Sequence, residues 1–131
     1  MLDHFATWLA TKTGLTKGTN LFQGYFPATA PELATVVQEV IPGKSYPVNP
    51  SVRTLDEVPF SVVTRSRDYD QARTTANAIY EAINLQAAQD LGDGWTMQTL
   101  VASARPQYIG PDDRNRFEYR TTYVATVEGT A

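Results

Sequence analysis

The chain opens with apolar residues at helical spacing. Leu2, Phe5, Ala6 and Leu9 share one face, and that period predicts a helix over 2–13. Asp3 suits its positive end, Lys12 its last turn, and Gly14 a left-handed stop. Aromatic and apolar residues then run through 20–27 between turn signals, which is the mark of a half-buried strand. Gly24 within it points to a bulge or to the close approach of another backbone. Residues 33–41 carry Val36, Val37 and Val40 and read as a second strand. A helix is the competing reading there, because Glu32, Leu33 and Ala34 are good helix formers.

Between 42 and 57 the pattern fails. Pro42, Gly43, Pro47, Asn49 and Pro50 break any period. A connection of about 16 residues exceeds the usual length, which predicts a functional or a disordered loop. Alternation returns over 58–66, with Val58, Phe60 and Val62 on one face and Ser61, Val63 and Arg65 on the other. Pro59 suits the beginning or the edge of a strand. Residues 68–84 make the best helix. Asp68 is a fitting N-cap, Gln71 stands at capping-box spacing, and Tyr69, Ala72, Ala76, Ile79, Tyr80 and Ile83 form the apolar stripe.

Residues 85–94 read as a transition, with room for one more helical turn, closed by Gly92-Asp93-Gly94. Residues 95–104 are a strand, halted by Pro106, and 106–115 a surface turn. From Arg116 to Glu128 the alternation is strict. Phe117, Tyr119, Thr121, Tyr123, Ala125 and Val127 face one way and mostly polar residues the other. Such a strand belongs to a sheet with one wet side. The sum is one α+β domain over 1–131. It has a mostly antiparallel or mixed sheet of about five strands, with the main helix and the short N-terminal helix packed on one face. A C-terminal hairpin is expected over 95–128.

Composition narrows the chemistry. The 131 residues include no cysteine, which removes disulfides, thiolate metal sites and cysteine nucleophiles. One histidine, His4, cannot supply a two-histidine metal motif. A net charge of −3 lacks the basic footprint of a nucleic-acid binder. No run of 18 apolar residues exists, so no membrane partner is expected. Asp3 and His4 stand where a secretory leader would be basic.

Candidate catalytic groups each have a plainer structural use. His4 lies in a helix without an evident orienting partner. Asp68 and Asp70 suit a helix start, and Asp112 and Asp113 suit a turn. Asp56 and Glu57 are adjacent, and adjacent residues in a strand or a tight turn tend to point apart. Gly92-Asp93-Gly94 precedes a strand, the wrong context for a phosphate loop. Arg65, Arg67 and Arg73 form one basic group and Arg114, Arg116 and Arg120 another, each with acids beside it for local ion pairs. Tyr46 and Tyr108 fall in expected loops, where an aromatic either anchors an interface or pins the loop. No catalytic residue, cofactor site or metal site is assigned, and no enzyme activity is expected.

Three segments together resemble the tail terminator family, small minor capsid proteins of long-tailed bacteriophages. They are Gly14 to Phe22 with Gly24 to Pro27; Val58 to Arg65 followed by Asp68 to Ala72; and Pro106 to Gly110 with Asp112 or Asp113, Asn115, Phe117 to Tyr119 and Tyr123. The stretch Lys44 to Asp56 departs from the family in length and proline content. The resemblance implies a virion protein made in the host cytoplasm. It would cap the tail tube as a ring of six, stop its polymerisation and join it to the neck of the head. Its partners would be further copies, the tube protein and a neck or head-completion protein, with DNA passing through an acidic ring that does not hold it. The alternatives are a head-completion protein of the same particle, a small ligand-binding domain, or an enzyme with a carboxylate site. Tyr46, Arg53, Arg114 and Arg116 are the candidate protein-interface residues.

Overall fold

The strictly alternating segment near the end of the chain becomes the spine of the fold. The structure, a computed structural model, describes residues 2–40, 44–49, 53–84, 86 and 88–130. In it β8 (Phe117–Thr130) buries Tyr119, Thr121, Tyr123, Ala125 and Val127 on one side, as the sequence predicts. It pairs antiparallel with β4 (Arg53–Ser66) along all 14 residues of each strand. At about 3.4 Å per residue that ladder is roughly 45 Å long.

Both spine strands are flanked by a broken strand. The free edge of β4 takes β2 (Ala34–Glu39) at one end and β3 (Lys44–Asn49) at the other. The free edge of β8 takes β6 (Trp95–Ala102) at one end and β7 (Gln107–Pro111) at the other. A parallel β1 (Leu21–Gln23) joins β2, and an antiparallel β5 (Gln89–Gly92) joins β6. The order is β1-β2-β4-β8-β6-β5, with β3 and β7 off that path.

The α+β class with a mixed sheet is what the sequence implies, but its details differ. Eight strand segments occur among the described residues, where about five were expected. The loop expected over 42–57 is largely β3 and the start of β4; its residues 42, 43 and 50–52 lie outside the described residues, as does Ile41. Tyr46 is therefore a strand residue. Proline misleads here because β3 borders β4 on one side only, and an edge strand tolerates a residue without an N–H. The turn expected over 106–115 contains β7, which carries a bulge where Gly110 adopts φ +105°. The extra helical turn proposed for 85–94 is replaced by β5, with Leu85 outside the described residues.

Two helices close the core. The first, α1 (Leu2–Thr13), buries Phe5, Ala6, Trp8 and Leu9. The second, α2 (Tyr69–Ile83), buries Ala72, Ala76, Ile79 and Ile83 and packs on β4 and β8. The small residues let the helix approach the sheet closely. The Asp68 carboxylate accepts from the N–H groups of Asp70 and Gln71. The Gln71 side chain does not return to the cap directly. It accepts from the Ser66 hydroxyl, which in turn accepts from the Asp68 N–H. The first helix packs on α2 and reaches β1, β2 and β5. Since β1 and β5 end the strand path, the sheet curls around α1. Phe5 stacks on Phe60 at 4.2 Å between ring centroids, at the middle of the core.

The other side of the sheet is less wet than the alternation implies. Residues 24–33 cross it as a strap. Arg65 is 4% exposed beneath them, with its guanidinium 4.0 Å from the Phe26 ring and its Nη2 donating to the Pro31 carbonyl at 3.3 Å. Phe60→Ala removes the stacked pair and leaves a cavity between helix and sheet. A loss of about 3–5 kcal/mol in unfolding free energy is expected, read by urea denaturation.

Candidate protein-interaction surfaces

The four candidate interface residues fall on two hairpins at opposite ends of the spine. Tyr46 lies on β3 and Arg53 begins β4; in register Tyr46 faces Leu55 and Arg53 faces Asn49. Arg114 and Arg116 lie in the β7–β8 turn, and the spine carries Arg53 and Phe117 at its two ends. The structure brings the candidates together in pairs and keeps the pairs a spine's length apart.

The β7–β8 turn is held by Asp112. Its Oδ1 accepts from the N–H groups of Arg114 and Arg116, both at 2.9 Å, and its Oδ2 from Arg116 Nε at 2.6 Å. Asn115 completes the turn with φ 60°. Burial opposes ionisation of Asp112, but the two N–H groups and the Arg116 guanidinium outweigh it and hold the carboxyl below its usual range. The Arg116 side chain is only 12% exposed, so its charge is committed within its own chain. It also lies 4.0 Å from Glu32 of the strap, and Arg67 binds Glu32 at 3.0 Å. Arg114 stands exposed on the same turn.

Beside this turn lies an aromatic cluster. Tyr69 at the start of α2 meets Tyr108, Phe117 and Tyr119 at 5.5, 5.6 and 5.7 Å between ring centroids. Tyr119 is buried, and burial together with the Tyr69 hydroxyl pushes its pKa up to about 12. Tyr69, Tyr108 and Ile109 are exposed. Exposed aromatics on a rigid base are the usual anchors of protein interfaces. The sequence singled out Tyr108 as a loop aromatic; it is instead a strand residue packed against this cluster.

Part of the remaining chemistry of the sequence is absorbed into structure, while Asp56 Oδ1 is buried with no hydrogen-bond partner among the described residues. His4 Nε2 lies 3.6 Å from Asp93 Oδ2, at the end of the β5–β6 turn. Asp68 caps a helix and Asp112 a turn, as expected for those carboxylates. Of the basic residues, Arg67, Arg73 and Arg116 form local ion pairs. Arg65 does not lie on a solvated face but is buried under the strap, and burial, with Arg116 nearby, lowers its pKa. Glu118, its register partner on β8, has its pKa raised by burial and by Asp112. Among the described residues no group of three or more His, Cys, Asp or Glu side chains is placed to hold a metal ion.

Comparison with known proteins places this geometry. A family described as "Bacteriophage tail terminator protein" matches residues 8–128. A solved structure entitled "Virion of native gene transfer agent (GTA) particle" contains a chain of the same fold, with a TM-score of 0.58 and 18% identity, covering 92% of this chain and 84% of that one. No curated protein sequence matches.

The state of Asp112 sets a pH dependence. A carboxyl with a depressed pKa in the folded state adds stability that is complete above the unfolded-state pKa of about 3.9 and is lost as pH falls through the folded value. Asp112→Ala is expected to cost about 2 kcal/mol at pH 7. Denaturant titration of both proteins along a pH series should show the difference shrinking below about pH 4.

Proposed function

The chain belongs to the bacteriophage tail terminator family, and from that membership we propose that it caps the tail tube, stops its polymerisation and joins the finished tail to the neck of the head. The observation that carries this reading is the family match across residues 8–128. On this reading the protein acts as a ring of six copies in the virion. One side contacts the last ring of tube protein, the other contacts a neck protein, and DNA passes through the centre.

The fold supports such a role without chemistry. A ring of identical subunits requires two unlike surfaces on each copy, joined head to tail until rotation closes it. The two ends of the spine carry different elements, the paired strands β3 and β4 at one and the β7–β8 turn with its aromatic neighbours at the other. The stiff ladder between them would hold their spacing, and a closing ring requires a fixed spacing. A net charge of −3 per copy suits a channel through which DNA slides.

A stop codon early in this gene, in the phage that carries it, tests the reading by electron microscopy. The expected particles are overlong tubes beside detached, DNA-filled heads. Tails of normal length beside unjoined heads would reassign the protein to head completion. Intact infectious particles would overturn both roles.

A further inference from the structure

Seven large hydrophobic side chains are exposed among the described residues, and six of them fall into two patches. The first is a row across the face of the sheet away from the helices. Val40, just beyond β2, donates its N–H to the Pro59 carbonyl on β4 at 3.2 Å. Pro59 is the register partner of Val124 on β8, and Val124 of Val101 on β6. The chain neighbours Phe60, Ala125 and Leu100 are fully buried on the helix side, so Pro59, Val124 and Val101 point the other way. The valines at 40, 101 and 124 are 48, 46 and 41% exposed. Val40 also borders a hollow of about 420 Å³, whose lining includes Gln38, Ser61 and Thr122. An apolar rim over a polar floor suits the ring and hydroxyl of a tyrosine.

The second patch is Tyr69, Tyr108 and Ile109. Tyr108 is the register partner of Tyr119, which shares the helix side of β8 with Tyr123, and Tyr69 begins α2. The two patches therefore lie on opposite faces of the sheet, one aliphatic and one aromatic. Single exposed apolar residues are ordinary, whereas contiguous groups of them mark contact surfaces.

Each patch has a charge of opposite sign beside it. Glu57 stands two residues before Pro59 on β4 and on the same face, and Arg114 stands on the turn beside the aromatic patch. Both are exposed, and neither side chain forms an ion pair or a hydrogen bond among the described residues. Arg120 is exposed on the same face as the row, but four residues before Val124, about 14 Å away in the direction opposite to Glu57. The row is therefore acidic on one side and basic on the other, and an approaching cation is drawn to the Glu57 side.

We propose that the aromatic patch of one copy docks on the aliphatic row of the next, with its Arg114 on Glu57. The inference rests on the ring reading above and names the contact that closes the ring. Because the patches differ and face opposite ways, the contact is heterologous, and each copy keeps one patch free for a further neighbour. Tyrosines on a braced base lose little conformational freedom when they dock, and the charge pair fixes the direction in which they lie.

The chain has no cysteine, so introduced thiols report contacts without background. Thr99 is exposed on the face of the row, two residues from Val101, and Arg73 is exposed one helical turn from Tyr69. Purified particles carrying Thr99→Cys and Arg73→Cys, treated with a short bis-maleimide, should give a ladder of linked copies on a denaturing gel. Either substitution alone should give only single chains. Linked pairs of copies from one substitution alone, links only to a different virion protein, or no ladder from particles that contain the protein would overturn the inference and leave the terminator reading intact. If particles form without the protein, the terminator reading itself fails, and this contact with it. Charge exchange is the second test. Glu57→Arg or Arg114→Glu should each lower rescue of the stop-codon phage by roughly tenfold or more, and the two together should restore it. Asp113→Arg, at the exposed acid next to Arg114, is the control and should rescue normally. Unimpaired single variants at 57 and 114, or a folded double variant that rescues no better than the singles, would overturn the contact.

Discussion

The β4–β8 ladder is the constraint on which the rest depends. Fourteen residues pair with fourteen, more than twice the usual strand length. The helices are far shorter. At 1.5 Å per residue the 12 residues of α1 and the 15 of α2 span roughly 18 and 22 Å, against a ladder of about 45 Å. A short edge strand borders each end of the ladder, β3 at one and β7 at the other. The start of α2 covers the β7 end, where Tyr69 meets Tyr108, Phe117 and Tyr119.

The same ladder organises the two faces. On one, Phe60 and Tyr123 are register partners and Phe5 stacks on the first of them. On the other, Arg65 and Glu118 are register partners, and the strap covers Arg65 through Phe26 and Pro31. The strap covers that face only around Arg65, and Arg120 and Val124 on the same face are exposed. Trp95 adds a lock near the end of β8, where a Cβ on Gly129 would overlap its ring. A long paired ladder of fixed length suits the proposed assembly role.

The elements that were legible in the sequence are those whose period is long. Residues 117–127 alternate without interruption and residues 68–84 keep one helical stripe, and both are found where the pattern puts them. The strands that escaped notice are short or sit at an edge. Pro47 on β3 and the bulge before Gly110 on β7 break the pattern without breaking the pairing, because an edge strand has one side with no partner to satisfy. Burial of Arg65 was foreshadowed only by Val63 two residues earlier on the same face. Of the interface candidates, Arg114 and Arg116 were visible as charges in a turn, but not that Asp112 commits Arg116. The hollow was invisible, since Gln38, Ser61 and Thr122 become neighbours only through strand register.

On the proposed function this protein ends a growing tube. Purified protein added to tube protein as it polymerises tests it most directly, with tube lengths counted by electron microscopy. A small molar fraction should halt elongation, with the added protein only at tube tips. Tubes that keep growing, or that bind the protein along their sides, would contradict it.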